Sequence, residues 1–224
     1  MAILTKSGRT ALAVSLKVQP VHLAWGAGEA TWETSHAANL VFDDNRISLP
    51  HAPVKNVVLT ADATTFNAGE DTAFDMTTGI ITRLNSDIPD IVSLSYAIAT
   101  PQESIQATAL LNEVGRRIVD EVSFCVGDSE GLLVTPTGRF SVTTEPTNQL
   151  YFHCTFDFAD GSHETIRELG IFMGTEVSET CPLGQRYFVP SELTNPGILL
   201  VCENTVPLIR TEATREAFSF VVTV

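Results

Sequence analysis

Residues 149–158 alternate almost without a break: Phe152, Cys154, Phe156 and Phe158 fall on one side of an extended chain, and His153, Thr155 and Asp157 on the other. A period of two places successive side chains on opposite faces, so this stretch buries its phenylalanines only as a strand with one face against a core. The C-terminal residues AFSFVVTV repeat the pattern. Shorter strand-like runs lie at 21–25, 57–59, 91–98, 122–126, 132–134, 139–143, 168–173, 198–202 and 206–210, many bounded by Gly, Asp or Pro. A chain of many short strands hides its apolar faces by packing sheet on sheet.

Two segments carry helical spacing instead. In 7–17, Ala11, Leu12, Val14 and Leu16, flanked by Leu4 and Val18, approximate one apolar side, and Pro20 stops the helix. In 103–119, Ile105, Ala109, Leu110, Val114 and Ile118 share a side, with Gly115 weakening it. The expected fold is therefore mostly β (α+β): a β-sandwich-like core with two short helices and a small β insert. The insert is marked by a change of character over residues 40–100, where charges thin out and Thr, Ala and Val dominate. This divides the chain into a core of 1–38 plus 101–224 and an inserted small β domain of 39–100, bounded by prolines at 50, 53 and 101. Within the insert, Gly69 and Gly79 suit tight turns, Asp71 and Asp75 suit bonds to loop amides, and Phe66 and Phe74 suit a small core.

Composition narrows function mainly by exclusion. Hydrophobic residues make up 44% of the 224 and charged residues 18%, a packed composition rather than a disordered one. A formal net charge of −14, from 27 acidic and 13 basic residues, argues against a nucleic-acid partner, which requires clustered Lys and Arg. The N-terminus reads as neither signal peptide nor membrane span, and no apolar run is long enough to cross a bilayer, so no membrane partner is expected.

Reactive residue types do not converge. Cys125, Cys154, Cys181 and Cys202 are spaced 29, 27 and 21 apart, which fits no metal-binding pattern, and Cys125 and Cys154 read as buried thiols. No His pair has zinc-helix spacing; a metal held by His153 and His163 with Asp157 or Asp160 is the weaker reading beside an ordinary polar strand face and turn. The carboxylate pairs Asp43–Asp44 and Asp157/Asp160 read as loop caps. Nucleophile-elbow, P-loop and dinucleotide fingerprints are missing. The expectation is a protein with no catalytic residues, no metal and no cofactor, and not an enzyme.

Three local motifs give a positive direction. The first is LTKSGRTALA followed by VHLAWGAGEATWE. The second is a module carrying Phe66, Gly69, Asp71, Phe74, Asp75, Thr78, Gly79 and Ile80. The third is TIRELGIF at 165–172. Together they resemble structural proteins of the tailed-bacteriophage virion, of the tail-collar, tail-fibre-associated or baseplate kind. The resemblance implies a structural subunit of the phage tail, in the baseplate or as a fibre adaptor, that oligomerises and docks other phage tail and baseplate proteins. It implies a place in the virion after assembly in the host cytoplasm. The chain lacks the long repeats and coiled-coil shaft of a full fibre.

Under this reading Trp25 and Trp32 act as docking anchors, and Arg167 or Glu168 pairs across a subunit contact. The alternative for the pair is an intramolecular ion pair that fixes a turn. In an extended IREL, Ile166 and Glu168 face one way and Arg167 and Leu169 the other. The rival functions are a neck or capsid-decoration protein, a carbohydrate-binding β-sandwich using Trp25, Trp32, Tyr96 or Tyr187 as ring platforms, and a carboxylate hydrolase.

Overall fold

The computed structural model describes residues 2–224. The chain begins with α1 (Lys6–Lys17), whose N-cap Thr5 accepts a hydrogen bond from the Gly8 amide at 3.2 Å, satisfying one orphan donor of the first turn. Ala13 is buried and Leu16 packs beside it, whereas Leu12 and Val14 stay exposed. Strand β1 (Val21–Gly26) follows. The next seven strands are β2 (Ser35–Val41), β3 (Arg46–Ser48), β4 (Val54–Ala61), β5 (Thr64–Phe66), β6 (Thr72–Asp75), β7 (Ile80–Arg83) and β8 (Ile91–Ile98). The third group begins β9 (Glu113–Ile118), β10 (Glu121–Gly127), β11 (Leu133–Thr135), β12 (Gly138–Thr143), β13 (Gln149–Phe156) and β14 (Thr165–Met173). It ends β15 (Glu176–Val177), β16 (Tyr187–Phe188), β17 (Leu193–Asn195), β18 (Ile198–Ile209) and β19 (Glu216–Thr223).

Two compact units result, one of residues 1–28 plus 103–224 and one of residues 29–102. The first contains two five-stranded antiparallel sheets, ordered β16-β9-β1-β14-β18 and β11-β12-β10-β13-β19. Leu23 and Trp25 of β1 and Ile166, Leu169 and Ile171 of β14 meet Leu150, Phe152, Cys154 and Phe156 of β13 in one cluster. Burial of each such side chain contributes about 1.5–3 kcal/mol before the cost of ordering it. The alternation of β13 holds through Phe156, then stops. Phe158 lies in the following turn, 44% exposed beneath the Arg215 guanidinium.

The second unit has a four-stranded sheet, β2-β8-β4-β5, and a three-stranded one, β3-β7-β6. Its cluster includes Phe42, Leu59, Ile81, Ile88 and Leu94, with Phe66 and Phe74 partly buried against it. Asp71 accepts from the Asn67 amide at 2.9 Å, and Asp75 from the amides of Thr77 and Thr78 at 3.0 and 3.2 Å. Asn67 is the main group holding the Asp71 carboxyl below its usual range, and Thr78 does the same for Asp75. Gly79 has φ +69°, and a Cβ there would come within 2.7 Å of the His51 carbonyl oxygen. Gly79→Ala should therefore destabilise this unit by about 1–3 kcal/mol. The check is hydrogen exchange, which should speed up at β3, β6 and β7 and stay unchanged at β13 and β14.

Two features of the expected fold are corrected. Only one of the two expected helices of any length forms. Residues 103–112 are irregular and 113–118 form β9, because tertiary bonds override the helical spacing. Leu110 packs on Ala24 and Phe172, the amides of Leu111 and Asn112 are taken by Glu168, and Gly115 lies so close to Tyr187 that a Cβ would sit 2.3 Å from its hydroxyl. In addition, β2 belongs with the inserted strands, since it pairs along its whole length with β8, so the second unit begins ahead of residue 39.

Candidate interaction surfaces

The two tryptophans fill cores. Trp25 is 0% exposed; it stacks on Phe156 with ring centroids 3.6 Å apart and donates from Nε1 to the Tyr187 hydroxyl at 3.1 Å. The Arg210 guanidinium lies 5.1 Å from its ring, and Gly161, with φ +55°, leaves room that a Cβ would close to 2.9 Å. Trp32 is 8% exposed, in the other unit. Neither ring is presented to a partner, which corrects their reading as docking anchors. Tyr96 is buried as well, so three of the four rings weighed as a sugar platform are buried, and Tyr187, half-buried, is bonded to Trp25.

Arg167 and Glu168 both turn inward on their own unit. Glu168 is 6% exposed, and its carboxylate accepts from the amides of Gly28 at 3.2 Å, Leu111 at 3.0 Å and Asn112 at 3.3 Å. Arg167 donates to the carbonyls of Ala27 at 3.1 Å and Thr165 at 3.3 Å. The two side chains thus grip the turn after β1 from two sides through backbone groups and not through an ion pair, of which neither is part among the described residues. Gly26 makes this possible, because a Cβ there would meet the Glu168 carboxylate at 2.7 Å. A bulge in the β14–β18 ladder between Ile166 and Glu168 breaks strict alternation, so that Ile166 and Leu169 both reach the core cluster.

Two buried arginines, Arg116 and Arg210, organise the same unit and were not singled out in the sequence. Arg116 sits in GRR on β9 and Arg210 ends the run VPLIR; a cation within an apolar strand-like run was the available signal. Arg210 donates to the carbonyls of Asp157 and Asp160 and to Thr214, and it pairs with Glu216 at 3.5 Å. Arg116 pairs with Glu113 at 2.7 Å and lies over the Phe172 ring.

The neighbouring His22 is buried beside Phe188, with no hydrogen bond to its Nδ1. Burial, then the charge of Arg116, lowers its pKa to about 4 from the ordinary 6.5. Between those values the unfolded chain binds the proton more readily than the folded one, so this contribution to stability is complete above pH 6.5 and lost as the pH falls toward 4. Urea unfolding of the wild type should lose about 2 kcal/mol between pH 7 and pH 5 from this group, and His22→Gln should lose correspondingly less.

Among the described residues, no three His, Cys, Asp or Glu side chains are grouped to hold a metal. His153 bonds Ser219 at 3.1 Å, Asp157 pairs with Arg215 at 2.9 Å and Asp160 with Arg117 at 2.6 Å, so the acidic pair is tied to arginines. Burial pushes the Cys154 thiol up to about 12 and raises that of Cys125. No helix is long and apolar enough to cross a membrane among the described residues.

Comparison with known families places the chain among structural proteins of phage tails and baseplates. Residues 1–45 and 95–224 match the family described as baseplate wedge 3 tail fiber network component, and the chain belongs to that family. The match omits 46–94, the middle of the inserted unit. No curated protein matches the chain significantly.

Proposed function

We propose that the chain is an adaptor subunit of the phage baseplate, one that docks neighbouring tail proteins, associates with its own copies and catalyses no reaction. The observation that carries this reading is the family match, which covers most of the chain, including all of the two-sheet unit. Several features support it. The carboxylates nearest to a catalytic arrangement are neutralised by arginines. The buried thiols stay protonated and are poor nucleophiles. Ile105, Leu132, Leu183 and Val206 are large apolar residues almost wholly exposed, a pattern suited to partner contacts. In symmetric assemblies many modest contacts of this kind add to a stable whole.

The test is mass spectrometry of purified particles together with native mass of the isolated chain, alone and mixed with baseplate proteins. The reading expects a fixed copy number in the particle and a ring-sized or partner-dependent assembly in solution. Absence from the particle, or turnover of a substrate by the pure chain, would overturn it.

A further inference from the structure

The two sheets of the first unit end in β18 and β19, and a groove of about 420 Å³ opens between these last strands. Leu169 and Val201 line one side, Phe218, Phe220 and Val222 the other, and Thr135, Pro136 and Thr137 of the β11–β12 turn border it next to β19. Of the residues on the two sides, all but Leu169 are only partly buried, although they border the main core cluster. We propose that this seam receives one extended, cation-bearing segment of a different protein, which adds to β19 as a further strand and points apolar side chains into the groove. The proposal deepens the docking role above and rests on it.

The choice of β19 follows from what covers each edge. At β18 the Asn204 amide already donates to the Glu103 carboxylate at 2.8 Å, and residues 103–107 run beside 199–202. At β19, consecutive residues 218–222 all line the groove, inward and outward positions alike, so the groove meets the edge of the strand and not only one face. Among the described residues, the backbone of 216–223 makes its hydrogen bonds to β13. An antiparallel edge of this kind leaves alternate N–H and C=O groups available for another strand.

The nature of the occupant follows from charge. Among the described residues, Glu203 is the one ionisable residue lining the groove. Burial and the nearby Glu103 raise its pKa, and no ion pair to it forms among the described residues. Covering it with an apolar or acidic strand would desolvate a carboxylate without compensation, whereas a Lys or Arg on the incoming strand pairs with it. A second copy is a poor occupant for its edges: neither β18, ILLVCENTVPLI, nor β19, EAFSFVVT, contains a Lys or Arg, and each copy carries a net charge of −14.

The test uses the full chain and two capped peptides of alternating valine and threonine, one with a central lysine and one with a central glutamate. Fluorescence anisotropy should show the lysine peptide binding at least about tenfold tighter at low salt, with the preference reversed in Glu203→Lys. Hydrogen exchange should slow at β19 when the lysine peptide is added. Phe220→Asp should abolish binding of both peptides, and Glu203→Lys, an exposed change, keeps the test valid if that variant does not fold. Equal affinity for the two peptides, no binding, unprotected β19 amides, or protection of β19 by self-association without peptide would each overturn the proposal. Particle composition separates the two claims. A chain present in particles with an inert seam sinks only the strand receptor, and a peptide-binding chain absent from particles sinks only the baseplate role.

Discussion

Glu168→Ala is expected to lower the stability of the first unit by about 3–5 kcal/mol, because three backbone amides lose one shared acceptor. A buried donor left without a partner costs about 1–3 kcal/mol, and water reaches part of this site once the side chain is gone, so the sum falls below three full penalties. Glu168→Gln keeps one carbonyl oxygen in place and should recover roughly half of the loss. Urea denaturation gives the size of the effect. Because the chain holds two units, hydrogen exchange is needed to assign it. Amides at 26–28 and 111–112 should open first, while those of β4 and β8 keep their protection. An alanine variant within about 1 kcal/mol of wild type would show that the carboxylate does not hold these segments together.

Arg116→Ala should have an effect of similar size. The side chain is 1% exposed and its guanidinium makes four bonds: two to Glu113 at 2.7 Å, one to the Thr175 hydroxyl at 2.8 Å and one to the Pro196 carbonyl at 2.5 Å. It also lies 3.9 Å from the Phe172 ring. Its removal leaves the Glu113 carboxylate, 13% exposed, without its cation, a loss of about 3–5 kcal/mol. Lysine carries the charge but cannot form the two-pronged contact while reaching Thr175 and Pro196, so Arg116→Lys should remain well below wild type. The double variant Arg116→Met with Glu113→Met removes both charges and should regain much of the stability, to be read from urea midpoints across the full cycle. A double variant as unstable as Arg116→Ala would instead assign the loss to the packing on Phe172.

Local alternation made several strands legible. Strand β8 lies where the pattern of Val92, Leu94 and Tyr96 puts it, and β10, β12 and β19 fall within a residue of their expected bounds at each end. What failed was set by partners distant in sequence. The expected strands 198–202 and 206–210 are one strand, because β14 pairs along that length, holding the polar Glu203 and Asn204 in register with Leu169 and Glu168 and taking up residues 205–207 in a bulge. Strand β2, SHAANLV, carries little apolar signal of its own and is held by its ladder to β8. The roles of Arg116, Arg210 and Glu168 depend on backbone groups brought from far along the chain, such as Pro196, Asp157 and Leu111, which no local pattern encodes. Large aromatic size marked Trp25 and Trp32 as important residues, but size alone does not tell a core ring from an exposed one.

The inserted unit leaves and rejoins the first one between residues 28 and 29 and between 102 and 103, each crossing made once. Its first and last strands are closed by their own bonds, Glu33 to Ile98 and Ile98 to Thr34, and the flanking turn by Ala27 to Asn112. Such an arrangement behaves as a cassette: its content can be lengthened or shortened while the two-sheet unit keeps its threading. The span outside the family match, 46–94, lies wholly within this unit, so a change in its length would leave the threading of the two-sheet unit intact.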